Sequence, residues 1–247
     1  MRKALRLGLV LTVALLAGCR QESVVVPAYD NYFPLTLNTY RTYAVADSNW
    51  TQGKLTVSNY QLREAVRESF TDAAGLPAFR VVRSRRATAS AQWVDDSVIV
   101  VQALPQAVLL TSNNQRTVEL IYPPRAGRGW NGAAFSASPD TITSRTRFYG
   151  PNVGQPGSTP ATPAVAAKTY PATVSTRATL PGGTEDINAY YQRGLRQLYA
   201  RDVGRVLRRR FSYNTYITDA SGLQTLTPGV VQNGNSRQEI LIDAGPL

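Results

Sequence analysis

The chain has 247 residues, with 27 basic and 16 acidic side chains, no histidine and one cysteine. Without histidine, the sequence has no Ser-His-Asp triad, no Cys-His pair and no histidine-ligated metal site. One cysteine excludes an internal disulfide and a thiolate metal cluster, so we expect neither a metal nor a cofactor. An apolar content of 43% is close to that of ordinary folded proteins.

Residues 1–18 have the pattern of an export signal. Basic residues at the start are followed by an apolar run from Leu7 to Leu16. As a helix this run would reach about 15 Å, half of a ~30 Å hydrocarbon core, so it is too short for a stable span. The residues that follow, Leu16-Ala17-Gly18-Cys19, resemble the lipobox of bacterial lipoproteins.

This resemblance implies that Cys19 becomes the mature, acylated N-terminus, carrying chains such as palmitate. Each buried CH₂ contributes about 0.8 kcal/mol, so two or three acyl chains would hold the protein on a membrane. The alternative is an ordinary signal peptide with a chance cysteine, which we disfavour because the chain's one cysteine stands where a lipobox requires it. Residues 19–31 would then be a lipidated tether. Arg20 is not an inner-membrane retention signal of the aspartate type, which favours the outer membrane and leaves the periplasmic or exterior face open.

Residues 32–247 are predicted to form one β-rich domain. Short alternating runs separated by turns are typical of antiparallel β proteins. About nine or ten strands are expected, with little helix. A single curved antiparallel sheet, a sandwich and a partly closed barrel each satisfy the pattern.

Local patterns give four more specific predictions. Residues 60–70 fit either a strand or a helix, and we favour the strand because a short turn at 71–75 leads into another β-like run, which predicts a hairpin. A second hairpin is expected around 201–204. Residues 150–168 are rich in Pro, Gly and Ala and predict a mobile loop. Residues 184–198 have apolar spacing that predicts one or two helical turns.

Several short motifs, taken in their order, resemble small uncharacterised bacterial lipoproteins. They are Tyr32-Phe33-Pro34-Leu35, Tyr60-Gln61-Leu62-Arg63, Trp130-Asn131-Gly132 and the segment from Tyr199 to Val206. Asp202 departs from the Gly-Val-Gly that such proteins more often carry in the last segment, which puts its turn type in question. The resemblance implies a β-rich, lipid-anchored domain and brings no activity with it.

Carboxylate pairs are the acid-base groups to consider in a chain without histidine. The candidates are Glu64 with Glu68, Asp95 with Asp96, and Glu185 with Asp186. On a strand, Glu64 and Glu68 would lie about 13 Å apart, too far for a glycosidase pair. We therefore interpret these pairs as turn and surface carboxylates, and predict no catalytic residue.

Two arginine-containing segments are candidate binding surfaces. Around Trp130, the side chains of Arg125, Arg128 and Asn131 could accompany the ring in holding an anion or sugar; the alternative is that Trp130 anchors a surface loop to the core. Seven arginines between residues 193 and 210 form the strongest basic cluster, with one acid among them. Strand alternation places Arg208 and Arg210 on one face. With Arg205, they are the predicted contacts to an anionic membrane surface, and a solvated strand face is the alternative.

The expected function is that of a lipid-anchored cell-envelope protein with a non-enzymatic binding or scaffold domain. A lipid or hydrophobic-ligand carrier is the first alternative and a surface hydrolase using carboxylates the second. Expected partners are the membrane, through Cys19, and an anionic lipid or glycan. Nucleic acid is not an expected partner. Arginine makes up 24 of the 27 basic residues, and so high a share more often reflects the base composition of the genome than selection for phosphate binding.

Overall fold

The computed structural model describes residues 31–135, 146–180 and 184–247, which form sixteen β-strands and contain no helix within those ranges. The signal segment and Cys19 lie outside the described residues, as does all of the tether except Asn31. The strands are β1 (Thr39–Thr51), β2 (Lys54–Thr71), β3 (Pro77–Arg86), β4 (Val94–Ala103), β5 (Ala107–Ser112), β6 (Gln115–Ile121), β7 (Gly129–Asn131), β8 (Thr146–Tyr149), β9 (Gln155–Thr159), β10 (Lys168–Thr179), β11 (Asp186–Ile187), β12 (Tyr191–Ala200), β13 (Gly204–Asn214), β14 (Tyr216–Thr218), β15 (Gln224–Leu226) and β16 (Asn233–Pro246).

Fourteen of these strands form one antiparallel sheet. Its order is β6-β5-β4-β3-β2-β1-β16-β13-β12-β10-β8-β7, with β9 and β11 attached to β10 and β12. The first six strands are a meander of hairpins, and the C-terminal strand β16 joins this half to β13 and the second half. Strands β14 and β15 form a separate hairpin.

The two outer strands of the sheet meet, which closes it nearly into a barrel. The amide of Val118 on β6 donates a 2.8 Å hydrogen bond to the carbonyl of Gly132, just after β7. Trp130 Nε1 donates to the Val118 carbonyl at 3.0 Å, and the Tyr149 hydroxyl donates to the Ile121 carbonyl at 2.6 Å. The predicted mainly β class is confirmed, and of its three architectures the structure has the partly closed barrel, with more strands than expected.

Tight turns with left-handed residues set the hairpin registers. Between β5 and β6, Asn113 and Asn114 have φ angles of 49° and 58°, the combination that a two-residue hairpin turn requires. The predicted hairpins are both present: β2 pairs with β3, and β12 pairs with β13. In the turn between β12 and β13, Asp202 has a φ angle of 60°. An aspartate thus adopts the left-handed conformation at the position where glycine was expected.

One end of the barrel is filled by the first described residues and is called the plug end. Tyr32 and Phe33 are 1% and 8% exposed and pack into the main apolar core. The Phe33 ring lies 6.2 Å from that of Tyr199. The amide of Asp202, in the β12–β13 turn, donates to the Asn31 carbonyl at 2.8 Å. The chain therefore enters the barrel at this end.

Two local predictions are corrected. Residues 184–198 are not helical: they contain β11 and most of β12, because β12 pairs with β10 on one side and β13 on the other. Gly194, which disfavours a helix, lies against the Phe211 ring, where a Cβ would come within 2.5 Å of it. Residues 150–168 are not one loop, since β9 pairs with β10 inside this range. Among the described residues, no helix is long and apolar enough to cross a membrane.

Candidate functional site

The barrel interior contains a buried group of ion pairs, here called the Glu64 cluster. Arg205 Nη2 lies 2.9 Å from Glu64 Oε1 and 3.2 Å from Glu239 Oε2. Arg83 Nη2 lies 3.1 Å from Glu64 Oε1, and Arg237 Nε lies 3.1 Å from Glu239 Oε1. The cluster thus connects β2, β3, β13 and β16 through side chains as well as through the sheet.

A second group, the Glu119 cluster, lies where the barrel closes. Arg147 on β8 makes two contacts with the Glu119 carboxylate, at 3.0 and 3.1 Å. The same carboxylate accepts hydrogen bonds from Gln197, Tyr199 and Thr117 at 3.2, 3.3 and 2.9 Å. Glu119 is the unpaired residue of a register shift between β5 and β6. All its acceptor positions are used inside the protein.

The carboxylates of both clusters stay ionised. Burial would raise the pKa of Glu64, but the guanidiniums of Arg205 and Arg83 outweigh it and lower the pKa to about 2. Burial likewise opposes ionisation of Glu119, and Arg147 holds the pKa of that carboxyl far below its usual range. Neither group can therefore act as a general acid near neutral pH.

The region around the Glu64 cluster has more guanidinium than carboxylate. Arg208 lies opposite Glu239 in the β13–β16 pairing, yet it makes no hydrogen bond or ion pair with another described residue. Burial lowers the pKa of Arg208 and the guanidiniums of Arg205 and Arg83 lower it further, while the carboxylates of Glu239 and Glu119 oppose this. The Nε atoms of Arg83 and Arg205 are buried without a hydrogen-bond partner in the described part of the chain. Four guanidiniums thus face two carboxylates.

A cavity of about 770 Å³ opens at the end of the barrel opposite the plug, here called the mouth. It lies between the start of β6, the start of β8, the end of β10, the start of β12 and the end of β13. Its wall combines apolar and charged side chains. The residues of this wall include Arg116, Arg147, Arg193, Arg210, Asp186, Phe135, Leu195 and Ser212.

The cavity wall carries a surplus of positive charge. Arg147 is neutralised by Glu119, whereas Arg193 lies opposite Asp186 in the backbone pairing of β11 with β12 and forms no ion pair with it. Arg116 lies over the Phe135 ring at 5.6 Å from its centroid and has no acidic partner among the described residues. Arg210 makes no ion pair or hydrogen bond with any described residue and is exposed.

A buried hydroxyl in the cavity wall also lacks a partner. Thr179, at the end of β10, is 1% exposed, and its Oγ1 has no hydrogen-bond partner in the described ranges. An unsatisfied buried donor is costly unless water or a ligand satisfies it. The cavity wall therefore includes a buried hydroxyl without a partner in the described ranges, besides its guanidiniums.

In the predicted surface around Trp130, the side chains of Trp130, Arg128 and Asn131 contact the protein itself. Trp130 is 9% exposed, and its ring lies 4.8 Å from that of Tyr149, so it anchors this segment to the core. Arg128 donates to two backbone carbonyls, and the Asn131 side chain accepts from the Ala133 amide. Arg125 is in the preceding turn. Part of the expected loop is strand β7.

The predicted membrane-facing arginines point elsewhere. Arg205 is 3% exposed and bound to two glutamates inside the barrel, so it cannot contact a membrane surface. Arg208 and Arg210 do share one strand face, as alternation predicted, but that face is the interior and the mouth. A solvated outer face is formed by Arg209, whose guanidinium lies over the Phe211 ring.

The carboxylate pairs are only partly the surface groups that the sequence predicted. Glu68, Asp95 and Asp96 are exposed, whereas Glu64 is 6% exposed. Glu185 forms an ion pair with Arg196, and Asp186 lines the cavity. No three potential metal ligands cluster within the described ranges.

The sequence reasoning missed Glu119, Arg147 and Arg116. One signal was available: Glu119 interrupts the apolar run from Val118 to Ile121, a place where a charge implies a buried partner. The sequence does not show that the partner is Arg147, because that contact depends on the closure of the barrel.

Comparison with known protein families, with curated proteins and with solved structures finds no match. The function of the chain is therefore inferred from its own sequence and geometry.

Proposed function

We propose that the chain is an exported, lipid-anchored cell-envelope protein whose barrel is a non-enzymatic module that binds a small ligand at its mouth. The observation that carries the proposal is the cavity of about 770 Å³ at that end. Its volume is within the range of about 300–1,000 Å³ that small-molecule sites occupy.

The anchor belongs to the same proposal and is supported by the sequence of the first nineteen residues. Lipidation of Cys19 would place the protein on a membrane, with the outer membrane as the expected location. Because the chain enters the barrel at the plug end, the anchor and the cavity would lie at opposite ends. β12 spans most of the barrel's length, about 30 Å at ~3.3 Å per residue, so the mouth would stand clear of the bilayer.

The buried charges favour binding over catalysis and over transport of a lipid through the barrel axis. The interior carboxylates are held ionised by arginines, which leaves them without a proton to donate. A lipid or acyl-chain carrier needs a continuous apolar channel, whereas the middle of this barrel is filled by the Glu64 and Glu119 clusters. A ligand at the mouth needs neither a proton donor nor an apolar channel.

The binding proposal is tested by native mass spectrometry of protein purified from envelopes under gentle conditions. Ser212 is exposed and lines the cavity, so Ser212→Trp fills space there. Ser69→Trp, at an exposed position on β2 outside the cavity wall, is the matched control. We expect wild type and Ser69→Trp to retain an adduct of defined mass and Ser212→Trp to lose it. Equal retention, or no adduct in any of the three, would contradict the proposal.

The anchor is tested separately by labelling with radioactive palmitate and by membrane fractionation. Wild type should incorporate label and sediment with the outer membrane. Cys19→Ser should do neither. A labelled Cys19→Ser protein would show that the anchor is wrong without affecting the cavity.

A further inference from the structure

We infer that the mouth cavity binds a small organic anion, a carboxylate or phosphate carried on an apolar body. This inference rests on the proposed binding function and specifies its ligand class. It is argued from the charges in the cavity and beneath it, and from its apolar wall.

The positive charge of the cavity wall is not fully compensated by acids. Two arginines of the wall, Arg116 and Arg210, lack an acidic partner among the described residues, and Asp186 is the single acid in the wall. A guanidinium whose charge is not met by the protein attracts an anion, and Arg presents its donors in a fork that fits carboxylate or phosphate.

A further positive charge lies below the cavity. Arg208 is two residues from Arg210 on the same face of β13, so its Cα lies about 7 Å further into the barrel. It is unpaired with any described residue and only partly exposed, and it lies beside the guanidinium surplus of the Glu64 cluster. Removing an ion from water is costly unless a counter-ion accompanies it. An anion at the floor of the cavity would supply one.

Part of the cavity wall is apolar. Phe135 and Leu195 line the cavity together with the arginines. Arg116 stacks over Phe135, which fixes a planar cation beside an aromatic face. This combination suits a ligand with a charged group and an apolar body better than an inorganic ion.

The test uses two fluorescent probes that differ by one charge. 1-Anilinonaphthalene-8-sulfonate is anionic, and N-phenyl-1-naphthylamine has the same aromatic body without the sulfonate. Both probes are titrated into the full folded barrel, which carries Cys19→Ser throughout. Three proteins are compared: this parent without a further substitution, its Arg210→Gln variant and its Arg177→Gln variant. Arg177 is an exposed arginine on β10, next to Ala178 of the cavity wall. It does not line the cavity itself, so it controls for the loss of one charge at this end.

We expect saturable binding of the anionic probe, about tenfold tighter than the neutral one, since a charge-assisted contact contributes on that scale. Arg210→Gln should weaken the anionic probe about tenfold and leave the neutral probe unchanged, and Arg177→Gln should change neither. Added salt should weaken the anionic probe more than the neutral one.

Equal affinity for the two probes, with no effect of Arg210→Gln, would overturn the anion inference and leave the binding function standing. No saturable binding of the anionic probe would also overturn it. The proposed function falls on a different result, namely equal adduct retention by wild type and Ser212→Trp in native mass spectrometry.

Discussion

Two glutamates four residues apart on β2 have opposite environments. Glu64 is 6% exposed and contacts Arg205 and Arg83 inside the barrel. Glu68 is exposed and pairs with Arg80 on the surface. Comparing Glu64 with Glu68 therefore shows how burial changes the contribution of an ion pair to stability.

Replacing Glu64 by Gln should therefore destabilise the fold far more than replacing Glu68. Loss of one partner from a buried pair leaves unpaired charge in the interior and costs about 3–5 kcal/mol, whereas an exposed pair contributes about 0–1 kcal/mol. Urea unfolding followed by circular dichroism measures both. Equal losses for Glu64→Gln and Glu68→Gln would contradict the structure.

The buried carboxylates also predict acid sensitivity. The folded pKa of Glu64 is lowered to about 2 from an ordinary value of 4.5, and the pKa values of Glu119 and Glu239 are lowered as well, against the effect of burial, by neighbouring arginines. A depressed carboxyl pKa stabilises the folded state above the unfolded value, and this contribution is lost as the pH falls from about 4.5 towards 2. Urea unfolding should show stability falling through that window, with a shallower fall in Glu64→Gln. Constant stability down to pH 2 would refute this.

At the scale of elements, the close packing of β13 and β16 requires glycine at one position. Gly234 has φ 134°, and a Cβ there would lie 2.3 Å from the Ser212 carbonyl oxygen. Gly222, in the turn between β14 and β15, has φ 87° but nothing within 4 Å of its Cβ position. Both glycines have a positive φ angle, but only Gly234 lacks room for a Cβ atom.

Gly234→Ala should lower the free energy of unfolding by roughly 1–3 kcal/mol more than Gly222→Ala does. Both variants place alanine at a positive φ angle, but only Gly234→Ala also brings a Cβ atom against the Ser212 carbonyl. Thermal and urea unfolding of the two variants give the difference. Similar costs would mean that β13 and β16 separate easily at the mouth.

Hairpins were predictable from the sequence because their signals are local. The turns at 71–75 and 201–204 have residues suited to tight turns, and both join the expected strands. The helix predicted over 184–198 was wrong because two neighbouring strands, β10 and β13, supply hydrogen bonds that outweigh local spacing. β9 was missed for a similar reason, since its partner β10 lies beyond a Pro-rich stretch.

The candidate site was largely beyond sequence reasoning. Alternation correctly placed Arg208 and Arg210 on one face, but it could not say that this face is the inside of a barrel. Glu119 and Arg147 are 28 residues apart and meet where β6 approaches β7 and β8. That contact follows from closure of the sheet, which no local pattern encodes.

At the scale of the whole molecule, the described residues form a barrel with a filled end and an open end. Tyr32 and Phe33 fill the first, and the cavity opens at the second. Since the proposed anchor precedes Tyr32 in the chain, the mouth should be directed away from the membrane.

This orientation is tested with lipidated protein in vesicles that contain brominated lipids. A fluorophore is attached to a cysteine introduced at Ala73, in the exposed β2–β3 turn at the plug end, or at Ser212 at the mouth. Quenching should be stronger at Ala73. Stronger quenching at Ser212 would show that the mouth faces the bilayer.

The central claim is that the mouth cavity receives a ligand, and cysteine protection tests it most directly. In the Cys19→Ser background a cysteine at Ser212 is the chain's one thiol, because Cys19 is the natural one. We predict that saturating 1-anilinonaphthalene-8-sulfonate slows alkylation of Ser212→Cys severalfold and leaves Ser69→Cys, at an exposed position outside the cavity wall, unchanged. Equal alkylation of Ser212→Cys with and without the probe would contradict a site for an anionic ligand at the mouth.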